Sequence, residues 1–154
     1  MKIQKLIAPE FVYLDLDSSD IEAGLGAVAN EFAPALDLDP CAVVDALLER
    51  ERLGSTSVGG RFAIPHCKIQ GLRDIAISLA RFAREVPFGA EGHDPVNFVF
   101  VVLSPPDQPA AHLQVLSQIA RILKRRDLRA DLLAAANADE VLAAICRTAE
   151  AEGL

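Results

Sequence analysis

A continuous apolar run in the second half of the chain constrains the fold more than any other segment. Residues 96–103 read VNFVFVVL, rich in β-branched and aromatic side chains, and Pro105 and Pro106 follow them. A strand with apolar side chains on both faces must be covered on both faces, so this run predicts the central strand of a buried sheet. The alternating segment from Ile75 to Phe82 predicts a second strand.

Helix patterns lie on either side of these strands. Ser19-Asp20-Ile21-Glu22 has the form of a capping box, and Pro34 is expected to end the helix that it starts. Asp39, followed by Pro40, predicts the start of a second helix, which Gly54 is expected to close. After the central strand, the predicted helix starts are Pro109 for a long helix, Asp127 as the cap of a short one, and Asn137 with Glu140 for the last.

This order of elements predicts an α/β fold in a single domain over residues 1–154. We expect a three-layer sandwich, with a mixed sheet of about five strands flanked by helices on both faces. Strands and helices do not alternate strictly, so a Rossmann sheet is not expected.

Composition and charge exclude several classes of function. The net charge of −7 argues against nucleic-acid binding, because the phosphate backbone would repel the chain. No apolar run is long enough for a membrane helix, and the N-terminus lacks the pattern of a signal peptide, so we expect no membrane insertion and a cytoplasmic location. The spacing of the three cysteines fits neither a disulfide framework nor a zinc site, and Cys41 and Cys146 are predicted to be buried thiols.

The candidate chemistry lies in residues 54–68, which read GSTSVGGRFAIPHCK. A glycine-rich, hydroxyl-rich turn offers backbone N–H groups that suit a phosphate, and Pro65 restricts the backbone just before His66. Neutral imidazole is a good nucleophile near neutral pH, because its ordinary pKa is about 6.5. His112, in the first turn of the predicted long helix, is expected to stay neutral and to donate a hydrogen bond. His93 is expected only to be solvated. Spacing alone leaves a packing or capping role open for His66 and for His112.

Residues 54–68, Arg50-Glu51 before them and the helix HLQVLSQIARIL headed by His112 resemble a known family. They are similar to the enzyme IIA domains of the phosphoenolpyruvate-dependent phosphotransferase system, in the class that serves mannitol and fructose and includes the nitrogen-regulatory type. The resemblance covers nearly the whole chain. It implies that His66 accepts a phosphoryl group from the phosphohistidine of an HPr-like carrier and passes it on, while His112 and Arg50 support the group in transfer.

The chemistry implied by the resemblance needs no metal and no cofactor, because donor and acceptor are both imidazole nitrogens. Arg50 can offer a fixed fork of donors, and Ser55 and Thr56 are expected to bind phosphate oxygens. The sequence departs from the family pattern at Cys67, where glycine is common. Arg61 and Phe62 also stand where smaller residues are frequent, and as exposed side chains they would either tune which carrier docks or represent ordinary loop variation.

The role within the family leaves two alternatives. A regulatory phosphocarrier of the nitrogen branch would act on a regulatory target, and a phosphoryl group adds enough charge to create or destroy a docking surface. A stand-alone fructose- or mannitol-type component would pass the phosphoryl group to a sugar-specific IIB protein. The absence of fused IIB and IIC segments from these residues favours the regulatory interpretation.

Two different chemistries compete with phosphoryl transfer. The first is a cysteine hydrolase that uses Cys67 with His66 or His112. Neighbouring residues of an extended segment point in opposite directions, so Cys67 and His66 are poorly placed as a dyad. The second is a metal site built from the two histidines and a cysteine, with Asp94 or Asp107 recruited, although no pair of ligands has zinc-site spacing.

Overall fold

The computed structural model describes residues 2–89 and 94–154 of the chain. The strands are β1 Val12–Leu16, β2 Ser57–Gly59, β3 Phe62–Ala63, β4 His66–Lys68, β5 Ala76–Val86 and β6 Val96–Ser104. The helices are α1 Ile21–Ala35, α2 Pro40–Arg52, α3 Pro109–Ile122, α4 Arg126–Ala134 and α5 Ala138–Ala151. Short 3-10 turns at Ile3–Lys5 and Pro9–Phe11 precede β1. Over the described ranges, every helix is too short or too polar to cross a membrane.

The strands form one mixed sheet in the order β1-β5-β6-β3-β2. β5 and β6 pair antiparallel, while β1 on β5 and β3 on β6 are parallel. β4 also pairs parallel with β6, farther along the edge that β3 occupies. The described sheet is therefore five positions wide although it contains six strands, and the prediction of a mixed α/β sheet is confirmed.

The central strand β6 separates two cores. On one face, Phe98, Phe100 and Val102 pack with side chains from the helices α3, α4 and α5. On the other face, Val99, Val101 and Leu103 pack with side chains from α1 and α2. Helices thus cover both faces of the sheet, as the apolar run VNFVFVVL predicts.

Three predicted helix boundaries are wrong by one or two residues. The N-cap of α1 is Asp20 rather than Ser19, because the Asp20 carboxylate accepts the Ala23 N–H at 2.8 Å. α1 continues to Ala35, so Pro34 lies inside its last turn rather than ending it. α4 begins at Arg126, and Asp127 lies in its first turn instead of capping it.

Other local predictions have mixed outcomes. Asp39 caps α2, and the Asn137 side chain caps α5 by accepting the Glu140 N–H at 2.9 Å, so both caps are confirmed. Phe62 is fully buried and is not the exposed docking residue that was expected, because it packs against Phe98 in the core. Cys41 is exposed, so the prediction of a buried thiol there is wrong.

Candidate functional site

The alternation of β4 determines which side chains meet at the site. His66 pairs with Val102, and Cys67 pairs with Leu103. Because successive side chains of a strand point to opposite faces, His66 lies on the α3 side of the sheet with Val102 and Ser104. Cys67 belongs to the core on the other side, together with Leu103.

The structure brings His66 and His112 together. Their ring centroids are 5.4 Å apart, and the ring planes are inclined by 54°. Both rings line a cleft of about 440 Å³, whose walls also include Arg50 from the last turn of α2. His66 is partly exposed and His112 is 6% exposed, so a visiting group can reach the first ring while the second lies behind it.

A backbone hydrogen bond determines which nitrogen of His66 is free. Its Nδ1 lies 2.7 Å from the carbonyl oxygen of Ile64. A carbonyl can only accept, so Nδ1 carries the proton and donates it, and Nε2 keeps its lone pair. Burial lowers the pKa of His66, and the charge of Arg50 lowers it further, against the opposing effects of the Ile64 bond and Glu51. The ring is therefore neutral and nucleophilic at neutral pH.

His112 is held in the neutral form more strongly. Burial first, and then the charges of His66, Lys68 and Arg50, lower its pKa to about 4. Its Nδ1 lies 2.5 Å from the Ser104 hydroxyl oxygen. The position of His112 in the first turn of α3 agrees with the sequence prediction.

Arg50 is tethered at the edge of the cleft. Its Nη1 donates to the carbonyl oxygen of Gly54 at 2.8 Å, just beyond the end of α2. Its charge is close enough to the two imidazoles to lower the pKa of both. A guanidinium held in this way can offer its remaining N–H groups to an anion in the cleft.

Ser55 and Thr56 lie differently from the expectation of direct phosphate binding. Thr56 is 6% exposed, and its hydroxyl donates to the Glu51 carboxylate, which also accepts the Thr56 N–H. The Ser55 hydroxyl accepts the Ser57 N–H, and Ser55 lines a separate cleft with Gly54. Neither residue lines the cleft that His66 and His112 share.

The competing chemistries receive no support from the geometry. Burial raises the pKa of the Cys67 thiol to about 12, so a reactive thiolate is not available at neutral pH. Among residues 2–89 and 94–154, no three His, Cys, Asp or Glu side chains form a group that could hold a metal ion. His93 lies outside the described residues.

Sequence reasoning missed two residues of this site. Ser104 is fully buried beside His112. The sequence feature that could have indicated it is a polar residue at the end of an apolar run. Glu51 was noted only as part of the motif, although it ties the following turn to α2 through Thr56. The sequence feature that could have indicated Glu51 is a carboxylate in the last turn of a helix, a position that the helix dipole disfavours.

Sequence comparison identifies relatives along most of the chain. The model of the family described as phosphoenolpyruvate-dependent sugar phosphotransferase system, EIIA 2, matches residues 5–147. The nitrogen regulatory protein of Bradyrhizobium diazoefficiens is 36% identical over 141 residues, which cover 92% of this chain and 92% of that protein. A fructose-specific EIIA component from Haloferax volcanii is 38% identical over 97 residues, or 63% of each chain.

Solved structures share the fold. Nitrogen regulatory protein IIA-Ntr from Neisseria meningitidis superposes with a TM-score of 0.86 and 27% identity, covering 93% of this chain and 98% of that one. IIA mannitol from Escherichia coli superposes with a TM-score of 0.76 and 21% identity, over 90% of this chain and 98% of that one. At the latter identity the likeness concerns the fold alone.

Proposed function

Because this chain belongs to the EIIA 2 family of the phosphoenolpyruvate-dependent sugar phosphotransferase system, we propose that it is a phosphotransferase that carries a phosphoryl group on His66. The donor is the phosphohistidine of an HPr-like carrier protein, and the proposed domain spans residues 1–154. The proposal places the protein in the cytoplasm, where phosphoenolpyruvate supplies the donor. Neither a metal nor a cofactor takes part in the transfer.

The observation that carries this proposal is the hydrogen bond from His66 Nδ1 to the Ile64 carbonyl. It leaves the lone pair of Nε2 available to attack phosphorus. As the bond between Nε2 and phosphorus forms, the bond between phosphorus and the donor imidazole breaks, and its electron pair stays on the donor nitrogen. Little net change in bonding is needed, so the protein has mainly to align the groups and stabilise charge.

Arg50 and His112 supply that stabilisation. Arg50 offers guanidinium N–H groups to the phosphoryl oxygens, while its bond to Gly54 fixes the direction of the fork. His112 stays neutral because its pKa is lowered to about 4. It can therefore donate one N–H to a phosphoryl oxygen without placing a second positive charge beside the His66 ring. Direct binding of phosphate by Ser55 and Thr56 stays a prediction, and it would require their hydroxyls to leave the partners that they have here.

The proposed docking surface for the carrier is the rim of the same cleft. Leu53, just past α2, and Leu113, in α3, are 83% and 66% exposed, and both line the cleft. Large apolar side chains at that exposure suit a transient protein contact around the reacting histidines. We propose no small-molecule substrate, because the open cleft lets the phosphohistidine side chain of a carrier protein reach His66.

We further propose that the downstream role is regulatory, of the nitrogen-branch type. The similarity to nitrogen regulatory proteins, over 90% or more of this chain, supports this role. The alternative is that the protein passes its phosphoryl group to a IIB protein, and the similarity to a fructose-specific EIIA component supports it over a shorter segment. A pull-down that compares phosphorylated and unphosphorylated protein distinguishes the two roles: a regulatory target binds one form selectively and keeps no phosphoryl group, whereas a IIB protein becomes phosphorylated.

Phosphorylation with phosphoenolpyruvate, enzyme I and an HPr-like carrier tests the carrier function. Wild-type protein should gain one acid-labile phosphoryl group, and His66→Ala should gain none. His93→Ala is the matched control and should be labelled like the wild type. His112→Ala should still be labelled, but more slowly. Labelling of His66→Ala at the wild-type level would overturn the assignment of the site.

A further inference from the structure

The end of β6 carries a buried hydroxyl that touches the second histidine. Ser104 is 0% exposed, and its Oγ lies 2.5 Å from Nδ1 of His112. This hydrogen bond connects the last residue of the central strand β6 to the first turn of α3. The proline pair Pro105 and Pro106 follows Ser104 directly, so the position of its backbone is restricted.

The direction of this hydrogen bond follows from the number of available partners. Across the part of the chain that the structure describes, His112 Nδ1 is the sole partner of the Ser104 hydroxyl. If Nδ1 carried the proton and donated it, the hydroxyl hydrogen would be buried without an acceptor, which is unfavourable. If the hydroxyl donates instead, both groups are satisfied. The proton of the neutral ring then resides on Nε2.

The tautomer of His112 decides what this ring can do for a phosphoryl group. With the proton on Nε2, the ring has an N–H on the side away from Ser104. The other tautomer would present a bare lone pair there, which repels the phosphoryl oxygens. The His66 ring lies 5.4 Å away, centroid to centroid, and both rings line the same cleft.

We propose that Ser104 is a positioning residue for phosphoryl transfer: its hydroxyl donates to His112 Nδ1, fixes the Nε2–H tautomer and holds that N–H toward the phosphoryl group on His66. Ser104 does not contact the phosphoryl group itself. The effect on transfer rests on the proposed carrier function, whereas the tautomer of His112 does not depend on it.

A nitrogen NMR experiment on unphosphorylated protein tests the tautomer directly. In a long-range ¹H–¹⁵N spectrum at neutral pH, protonated and bare ring nitrogens are distinguished by their shifts. Wild-type His112 should show a protonated Nε2 and a bare Nδ1. A wild-type spectrum with the proton on Nδ1 would overturn the proposal, even if His66 is phosphorylated as expected.

Substitutions then connect the tautomer to the rate. Ser104→Ala should shift His112 toward a mixture of tautomers and slow phosphoryl acceptance by about tenfold, roughly the effect of one hydrogen bond in the transition state. Ser104→Thr, which keeps a hydroxyl, should restore both the Nε2–H signal and most of the rate.

Ser78→Ala is the matched control. Ser78 is also 0% exposed, on the adjacent strand β5, but its hydroxyl donates to the Phe11 carbonyl at 3.1 Å. Its loss should lower stability without changing the His112 spectrum or the rate. If Ser104→Ala slows transfer while His112 keeps the Nε2–H tautomer, Ser104 affects the rate by a route other than the tautomer and the proposal is wrong. If no variant is phosphorylated but the spectra behave as stated, the carrier function fails and the tautomer assignment stands.

Discussion

At the residue scale, Arg50 shows how a short-range contact restrains a charged side chain at the edge of the histidine cleft. One branch of its guanidinium is held by the Gly54 carbonyl, just past the end of α2. A planar guanidinium can make this contact and still offer parallel N–H groups to phosphate, whereas an ammonium group cannot do both in the same geometry.

The substitution Arg50→Lys tests this difference. We expect phosphoryl acceptance to slow by about tenfold or more, because one charge-assisted hydrogen bond is worth at least about 1.5 kcal/mol. Single-turnover transfer from the phosphorylated carrier measures the rate. Arg52→Lys, in the same helical turn but exposed and outside the histidine cleft, is the control and should leave the rate unchanged. Equal rates for the wild type and Arg50→Lys would remove Arg50 from the mechanism.

Residue types and spacing could predict part of this site. The sequence marks His66 by the proline before it and His112 by its place in a helix start, and the structure places the two rings together. It could not predict that the Thr56 hydroxyl is used by Glu51, because that bond depends on how the turn folds back on α2. Ser104 was missed for a similar reason, since only the packing of α3 on β6 shows which polar side chain meets His112.

At the element scale, side-chain caps mark where α1, α2 and α5 begin. The N-terminus of α5 has a reciprocal cap: Asn137 accepts the Glu140 N–H, and the Glu140 carboxylate accepts the Ala136 N–H at 2.6 Å. Such caps satisfy backbone donors that the helix itself leaves without partners.

Replacing Asn137 by Ala should therefore lower the free energy of unfolding by about 1 kcal/mol. Urea denaturation measures this change. The phosphoryl acceptance rate should not change, because α5 contributes no residue to the histidine cleft. Asn30→Ala is the control, since Asn30 is exposed within α1 and caps nothing, and it should change stability by less than about 0.5 kcal/mol. An equal effect of the two substitutions would show that the cap contributes no stability of its own.

Elements with strong periodic or capping signals were predictable, whereas the three-residue strands β2 and β4 were not. β6 was predicted from its apolar run almost to the residue. β4 was not predicted as a strand, because three residues after a proline carry too little pattern and depend on the edge of β6 for their hydrogen bonds. The reacting residue His66 thus lies on β4, a strand for which the sequence gives little indication.

At the scale of the whole molecule, two neutral histidines link the site to stability. The pKa of His112 is lowered to about 4 by burial and neighbouring charges, and burial also lowers the pKa of His66. Unfolding returns both groups to an ordinary pKa of about 6.5. Below that pH the unfolded chain binds protons that the folded chain does not, so acidification must favour unfolding.

We therefore predict that the free energy of unfolding falls between about pH 7 and about pH 4, with His112 contributing at most about 1.4 kcal/mol per pH unit. The contribution is complete above the unfolded pKa and is lost as pH falls toward the folded one. Denaturant titrations of the wild type and His112→Gln over this range measure it. The variant should show a shallower decline. Parallel curves for the two proteins would show that His112 is not held neutral by the fold.

The most direct measurement of the central claim is the site of the phosphorus–nitrogen bond in the phosphorylated protein. A long-range ¹H–¹⁵N spectrum recorded with and without phosphorus decoupling identifies the ring nitrogen that is bonded to phosphorus. We predict phosphorus coupling at Nε2 of His66, because Nδ1 of that ring is hydrogen-bonded to the Ile64 carbonyl. Coupling at Nδ1 of His66, or at either nitrogen of His112, would contradict the account.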